Sequence, residues 1–470
     1  MSRRADQHET LFRFGPYRRF HFIGVGGIGM SGIAEVLLRA GFEVSGSDLS
    51  DGPILDSLRH LGGRLAVGHA ADNLREAQAV VLSSAIPLDN PERAEAERRG
   101  LPLVHRAEML AELMRQRQGV TVTGTHGKTT VTSMLASILI ECGSDPTVLN
   151  GARLEIMKSN ARLGGGPLLL AEADESDRSF LRFFPVHTLI TNIDRDHMEA
   201  YSGFEDLKQA FSQHLERIPF YGTAVICRDD PVLRQVGENV HTPLVTYGLQ
   251  STVKETSSRC MPDCAAQKVR LQGFGSRFEV LWRGRLLGEV ELKVPGRHNV
   301  LNALGSLAMA LELGCAFEPA SRALSRFAGA ERRTQIKGER QGVLVMDDYG
   351  HHPTEIRATL KALSKLGRRL VVVYQPHRYT RTRDLMEETA AAFEHDGLLF
   401  LMDIYAAGQE PIEGVNSKVL AEHIARHREV EHVASTKDLQ ARLKAECRSG
   451  DVLLTLGAGD VWKAGEEYLG

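Results

Sequence analysis

The stretch Val120-Thr121-Val122-Thr123-Gly124-Thr125-His126-Gly127-Lys128-Thr129-Thr130 constrains this chain more than any other. An apolar, β-branched run enters a glycine-bounded turn, and a helical pattern leaves it from Lys128 to about Ile140. Such a turn curls the backbone so that its N–H groups converge, and the helix that begins there adds unpaired amides and a positive dipole end. The expectation is a phosphate loop made of Gly124, Thr125, His126, Gly127, Lys128, Thr129 and Thr130. Lys128 would supply a point charge for the terminal phosphates of ATP and the Thr129 hydroxyl a ligand for Mg²⁺. The longer Walker pattern asks for a glycine where Val122 stands, so only the short form Gly-Thr-x-Gly-Lys-Thr-Thr is met.

At 470 residues the chain exceeds what one hydrophobic core organises, and two or three domains are expected. A net charge of −3 with 25% charged residues gives no bias toward nucleic acid or anionic membranes, and no run of about 20 apolar residues is present to span a bilayer. Six cysteines (142, 227, 260, 264, 315 and 447) are scattered in a way that fits a reducing compartment, and Cys260 with Cys264 lacks the further ligands a zinc site needs. Met1-Ser2-Arg3-Arg4 leads into polar sequence rather than an apolar signal core, so a cytoplasmic protein is expected.

Upstream of the phosphate loop, a strand from Arg19 to Val25 runs into Gly24-Val25-Gly26-Gly27-Ile28-Gly29-Met30-Ser31-Gly32 and an amphipathic helix to about Ala40. The next strand, Phe42 to Ser47, ends at Asp48. This satisfies the dinucleotide fingerprint and admits an NAD-dependent oxidoreductase, but a glycine turn on a helix N-terminus holds any pyrophosphate, including that of a UDP-sugar. The stretch from Val80 to Pro87 reads as a later strand that brings Ser84 to the same crevice, and His69 sits in a Gly-His turn.

After the phosphate loop, Leu168-Leu169-Leu170-Ala171-Glu172 is a buried-strand pattern running into Asp174, Glu175 and Asp177. A second such strand, His187 to Ile193, ends in Asp194-Arg195-Asp196-His197. Strand ends on one edge of an α/β sheet gather around the ligand crevice, so Glu172 and His197 are expected to join Thr129 at a metal. Further on, Asn299 and Asn302 share a helix face at a spacing suited to reading a purine edge, while an N-cap role suffices for Asn299 alone. Past Phe327 the pattern restarts: Gly342 to Glu355 reads as a strand, a polar turn and a helix with Pro353 near its first turn, and Arg369 to Pro376 as another buried strand followed by His377-Arg378-Tyr379-Thr380-Arg381-Thr382-Arg383. Arginine forks suit carboxylates and phosphates.

Five motifs occur in one order: Gly-Thr-His-Gly-Lys-Thr-Thr at 124–130, Glu-Ala-Asp-Glu-Ser-Asp at 172–177, Thr-Asn-Ile-Asp-Arg-Asp-His-Met at 191–198, Arg-His-Asn-Val-Leu-Asn-Ala at 297–303 and Asp-Asp-Tyr-Gly-His-His-Pro-Thr-Glu at 347–355. Together they resemble the motifs of the Mur ligases of bacterial cell-wall synthesis, nearest to the alanine-adding branch, outside only a tail at 1–18 and an insertion at 250–268. The resemblance implies an α/β protein of three domains. These are a Rossmann-like UDP-sugar domain at 19–107, a central P-loop ATPase-like domain at 108–326, and a Rossmann-like amino-acid-binding domain at 327–470 that closes over it. It implies ATP and Mg²⁺ as cofactors, UDP-N-acetylmuramate and L-alanine as substrates, and a monomer or weak homodimer. By that resemblance Gly26, Gly27, Ile28, Gly29, Met30, Ser31, Asp48, His69 and Ser84 serve the UDP-sugar, and His298, Asn299, Asn302, Arg333 and Asp348 the nucleotide. His352, His377, Arg378 and Arg381 would meet the carboxylates of the amino acid and the sugar. Lys128, Glu172, His197, Arg333 and His352 are the expected catalytic set, with Thr129, Glu172 and His197 the metal ligands. Sister ligases carry a carbamylated lysine about where Ala210-Phe211 stands here, so none is expected, and Lys208 is the nearest lysine.

Overall fold

The computed structural model describes residues 11–154, 156–250 and 261–470. The first ten residues of the tail, and most of the 250–268 insertion with Cys260, lie outside the described residues. Three sheets with flanking helices make an α/β protein of three domains. By density of contacts the chain divides into two compact units. The first contains residues up to Ala265 with Leu281–Leu287 and Asn302–Ala323; the second contains Ala266–Val280, Gly288–Leu301 and Leu324–Gly470.

In the first unit, five parallel strands are ordered Arg64–Val67, Glu43–Asp48, Arg19–Ile23, Ala79–Leu82 and Leu103–His105. The order reverses between Arg19–Ile23 and Ala79–Leu82, and a crevice opens outside the carboxyl ends at such a point. Both strands are shorter than their sequence patterns. Gly24, at φ +75°, turns the chain immediately after Ile23, and Ser83 to Ile86 closes a turn through an Ile86 N–H to Ser83 C=O bond of 3.1 Å.

Seven strands of a ten-stranded second sheet run in the order Leu244–Leu249, Thr223–Cys227, His187–Ile190, Gln118–Thr123, Leu168–Glu172, Thr147–Leu154 and Ser159–Arg162. Gln118–Thr123 is central and parallel to both neighbours, with Val122 opposite Glu172 and Thr123 opposite Ile190. This register delivers the loops after 123, 172 and 190 to one edge. The helix Lys128–Glu141 lies behind them with every residue from Thr129 to Leu139 buried; the hydroxyls of Thr132, Ser133 and Ser137 are satisfied by the helix's own carbonyls. No described helix is long and apolar enough to cross a membrane.

His214, on helix Phe204–Glu216, is fully buried, stacks on Phe180 at 5.1 Å and places Nε2 at 3.1 Å from the Thr188 hydroxyl. Burial lowers its pKa to about 4. The unfolded chain, with histidine near 6.5, binds the proton first, so stability must fall as pH drops from 6.5 to 4. The loss is about 3 kcal/mol at a conversion of about 1.36 kcal/mol per unit. Urea unfolding of wild type and His214→Gln at pH 7 and pH 4.5 checks this. The stability difference between them should shift by about 2–3 kcal/mol in favour of the variant at the lower pH, and an unchanged difference refutes the argument.

The second unit has strands Gln335–Arg340, Val343–Asp348, Val452–Leu456, Leu370–Tyr374, Gly397–Leu401 and Glu431–His432 in that order, the first antiparallel and the rest parallel. Asp348, Leu456, Tyr374 and Leu401 lie level across the sheet. The Tyr349–His352 and His377–Arg381 segments therefore leave from the same edge.

Candidate active site

Gly124, at φ +124°, leads the chain out of its strand against Thr191; an added Cβ would stand 2.2 Å from the Thr191 hydroxyl. Only glycine fits. The loop is then held on one side by Asn192, whose Oδ1 accepts the His126 amide at 2.8 Å and whose Nδ2 donates to the His126 carbonyl at 3.0 Å. Thr125 exchanges hydrogen bonds with the backbone of Asp194, and His126 Nε2 lies 3.0 Å from Asp194 Oδ2. Gly127, in the left-handed region at φ +84°, caps the helix with no side-chain partner, and the Asn302 carboxamide approaches its Cα closely enough that a Cβ would meet Oδ1 at 2.9 Å. The loop backbone is therefore pinned by Asn192 and Asp194, and no side chain caps the first amides of its helix, as a phosphate site requires.

Lys128 Nζ donates to the Gly124 carbonyl at 2.8 Å, to the Thr125 carbonyl at 3.3 Å and to Glu175 Oε2 at 2.7 Å, with Asp174 Oδ1 at 4.0 Å. Burial opposes its charge, but Glu175, Asp174 and Glu172 together raise the pKa above the ordinary lysine value. Glu175 is buried, with one oxygen on Lys128 and Oε1 without a hydrogen-bond partner; burial pushes its pKa up to about 7 against the pull of Lys128. Asp174, Glu175 and Asp177 read from sequence as equally suited to a solvated loop, Glu172, nearest the strand, less so. The structure separates them, turning Glu175 inward, while Asp177 only caps Ser179 N at 2.9 Å.

The Thr129 hydroxyl lies 3.2 Å from Glu172 Oε1, and Glu172 Oε2 accepts the Gly151 amide at 2.9 Å. A hydroxyl beside a carboxylate is the hard-oxygen set that Mg²⁺ takes, so these residues fit that ion. His197 stands in the left-handed region at φ +55°, its Nε2 3.5 Å from Asp196 Oδ2. Burial opposes ionisation of Asp174, but Lys128 and then hydrogen bonds from Ser176, with a smaller pull from His197, keep that carboxyl below its ordinary value. Lys208 pairs with Glu205 at 2.6 Å, and Ala210 and Phe211 are buried.

The other glycine turn of this unit is built differently. The Gly24 and Val25 amides donate to the Ser47 carbonyl at 2.8 and 3.0 Å, and the Gly26 amide to Asp48 Oδ2 at 2.8 Å. Gly27 caps helix Ile28–Arg39 with no side chain, and Ser31 turns its hydroxyl back to the Ile28 carbonyl at 3.0 Å. Met30 is buried and contributes packing. Arg106, which sequence reasoning missed, lies over Gly29: a Cβ there would meet Nη1 at 2.7 Å. An arginine fork over a glycine turn suits a diphosphate. Its only signal is its place at a helix start after the strand Leu103–His105. Ser84 is exposed in its turn, and His69 Nδ1 lies 2.9 Å from the Ser47 hydroxyl.

In the second unit, the His298 imidazole packs over Gly296, and burial lowers its pKa to about 4. Asn299 Nδ2 donates to the Pro295 carbonyl at 2.7 Å, which anchors the start of helix Arg297–Glu312. Asp348 is buried and accepts from Thr334 N and Oγ1 at 2.7 and 2.9 Å and from Gly350 N at 2.8 Å. Burial raises its pKa while Arg333 opposes the rise. Arg333 stacks on Tyr349 at 5.0 Å and lies 3.6 Å from Glu355 Oε1.

His352 forms a capping box with Glu355 at the head of helix Pro353–Leu363, Nδ1 accepting the Thr354 amide at 3.3 Å. Its neighbour His351, not singled out in the sequence, lies 5.8 Å from His377, which stacks on Tyr405 at 5.7 Å and 9°. His377 Nδ1 is 3.3 Å from Arg381 Nη1. Burial, then His351, Arg381 and Arg378, drive the His377 pKa down to about 3, so this ring is neutral within a cationic group. Arg383 leaves it for Asp384 at 2.7 Å.

Models of known families match in three consecutive blocks: the Mur ligase family, catalytic domain, over residues 19–118; the Mur ligase middle domain over 122–310; and the Mur ligase, glutamate ligase domain over 332–459. The chain belongs to the Mur ligase family. Among Mur ligases, the UDP-N-acetylmuramate–L-alanine ligase of Geotalea daltonii is 49% identical over 460 residues, 97% of this chain and 98% of that protein. The enzyme of the same name from a Geobacter species, strain M21, is 49% identical over 461 residues, with coverage of 97% and 98%. The crystal structure of a UDP-N-acetylmuramate-alanine ligase from Thermotoga maritima superposes with a TM-score of 0.81 at 28% identity, covering 96% of this chain and 98% of that one. A murein peptide ligase from Psychrobacter arcticus shares the fold, with a TM-score of 0.71 at 23% identity over 96% and 98% of the two chains.

Proposed function

We propose that this Mur ligase joins L-alanine to the lactyl carboxylate of UDP-N-acetylmuramate in the cytoplasm at the expense of ATP, releasing ADP and phosphate. The observation that carries the reading is the pair of glycine turns in one compact unit, one with a lysine and a hydroxyl–carboxylate pair, the other beneath an arginine. Two anion sites of different build suit two different phosphate-bearing substrates. The names of the relatives at 49% identity support the same substrates.

An amide does not form from a carboxylate and an amine near neutral pH without activation, because oxide is too poor a leaving group. In this reading the lactyl carboxylate oxygen attacks the γ-phosphorus, the bond to the β–γ bridging oxygen breaks, and ADP leaves an acyl phosphate. Lys128 and the helix amides behind Gly127 meet the charge that builds on the phosphoryl oxygens. Thr129, Glu172 and His197 would hold Mg²⁺, which when bound neutralises phosphate charge. The amine of L-alanine then attacks the acyl carbon, loses a proton to a basic group, His197 or His352, and phosphate departs from the tetrahedral intermediate. Arg378 and Arg381 suit the amino-acid carboxylate, and His298, Asn299, Asn302, Arg333 and Asp348 the nucleotide side. Gly26 to Ser31, with Arg106, Asp48, His69 and Ser84, are assigned to the UDP-sugar.

Phosphate release with each substrate omitted in turn tests the reading. Release should require ATP, UDP-N-acetylmuramate and L-alanine together. Release that is indifferent to L-alanine, or that needs a preformed Ala-Glu-diamino acid peptide in its place, overturns it.

A further inference from the structure

Beneath the Gly24–Gly29 turn lies a carboxylate that none of the assignments above uses. Glu92, the second residue of helix Pro91–Arg98, is fully buried, as is His21 on the neighbouring strand. Its Oε2 accepts the Ser47 hydroxyl at 2.5 Å and lies 3.3 Å from His21 Nε2 and 3.6 Å from His69 Nδ1. Its Oε1 accepts the Ala70 amide at 3.2 Å and Asn73 Nδ2 at 2.5 Å. Burial alone would neutralise this carboxyl, but the hydrogen bonds from His21, Ser47 and Asn73 outweigh it and lower the pKa to about 2, so the group is charged at neutral pH.

The partners of Glu92 are not scattered. Ser47 is the residue whose carbonyl receives the Gly24 and Val25 amides. Asp48, next along, takes the Gly26 amide on its carboxylate and the Gly68 amide, at 2.7 Å, on its carbonyl. Asn73 also donates to the Gly68 carbonyl at 3.1 Å, so Gly68, His69 and Ala70 are tied at both ends. One buried charge thus fixes the glycine turn through Ser47, and the His69 loop through Ala70 and Asn73. A strand end and two loops, which the chain supplies from far apart, meet on it. An apolar side chain at this position would fill the space but orient none of them, and loss of one partner would leave the others buried and unsatisfied.

We propose that Glu92 is a positioning residue for the nucleotide-sugar, setting the glycine turn and the His69 loop in the geometry that receives its diphosphate and nucleoside. This rests on the assignment of that turn to UDP-N-acetylmuramate. Glu92 is sealed from solvent and acts only through its partners.

The test is steady-state kinetics of Glu92→Gln and Asn73→Ala in the full chain, with UDP binding by calorimetry and thermal unfolding alongside. Glu92→Gln should raise the KM for UDP-N-acetylmuramate and the Kd for UDP at least about 10-fold, leaving kcat within about 3-fold and the KM for ATP unchanged. Asn73→Ala, which removes one donor from a half-buried loop, should move the same two constants about 3-fold. Folded variants with an unaltered UDP-N-acetylmuramate KM, or with KM for both nucleotides rising together while kcat falls, overturn the proposal. If Glu92→Gln does not fold, an unaltered KM in Asn73→Ala overturns it. Failure of the wider functional reading would appear instead in wild type, as phosphate release that ignores L-alanine or as absence of UDP binding.

Discussion

Replacing Lys128 by alanine lowers alanine-dependent phosphate release at least about 1,000-fold, while the protein remains folded and still binds UDP at its other glycine turn. The ammonium is held by the Gly124 and Thr125 carbonyls at the mouth of a loop whose remaining donors are backbone amides. Those amides supply partial charge to a phosphate already bound. Only Lys128 supplies a full positive charge from the loop itself at the oxygens where negative charge grows during transfer. Lys128→Arg restores little, because a planar fork does not fit where a compact ammonium sits between two carbonyls. Phosphate release at saturating substrates, with UDP calorimetry on the same preparations, provides the measurement. Near-normal turnover in Lys128→Ala would remove the lysine from its assigned role.

What could be read from the chain alone follows from how far apart the cooperating residues lie. The phosphate loop was legible because strand, glycines, lysine and helix are contiguous, and the structure reproduces Lys128–Glu141 as one buried helix. The parallel sheets were legible because continuous apolar runs such as Leu168 to Ala171 suit strands covered on both faces. Side-chain direction was not legible. Glu172, Asp174, Glu175 and Asp177 form one acidic run; the strand ends at Glu172, level with Val122, and it is the loop beyond it that turns Glu175 toward Lys128. His351 and His352 are adjacent, yet the first lies beside His377 and the second caps its helix, a one-residue difference in backbone geometry that the sequence does not announce. Glu92 meets His21 across 71 positions and Arg106 meets Gly29 from the end of a strand two places away in the sheet, and no periodicity in the sequence announces either pairing.

The inward turn of Glu175 has a consequence for stability. Glu175→Gln lowers the stability of the nucleotide-free protein by about 3 kcal/mol, because it removes the nearest of the carboxylates that answer the buried Lys128 ammonium, at 2.7 Å, and leaves only Asp174 at 4.0 Å and the more distant Glu172. The reciprocal change is milder. With Lys128 removed, Glu175, already pushed up to about 7 by burial, takes a proton and becomes neutral. The double variant Lys128→Met with Glu175→Gln buries no net charge at this point and should lie within about 1 kcal/mol of wild type, so the two changes couple strongly in a double-mutant cycle. ATP restores what Glu175→Gln removes, since a phosphate oxygen can answer the same ammonium. The rise in Tm on adding ATP with Mg²⁺ should therefore be larger in Glu175→Gln than in wild type, and smaller than in wild type in the double variant, which keeps only the amides and the metal ligands. Urea unfolding of the four proteins without nucleotide, followed by thermal scans with it, provides the measurement. Additive losses in the cycle, or an ATP shift no larger than that of wild type, would mean that the carboxylate does not stand in for phosphate at the empty loop.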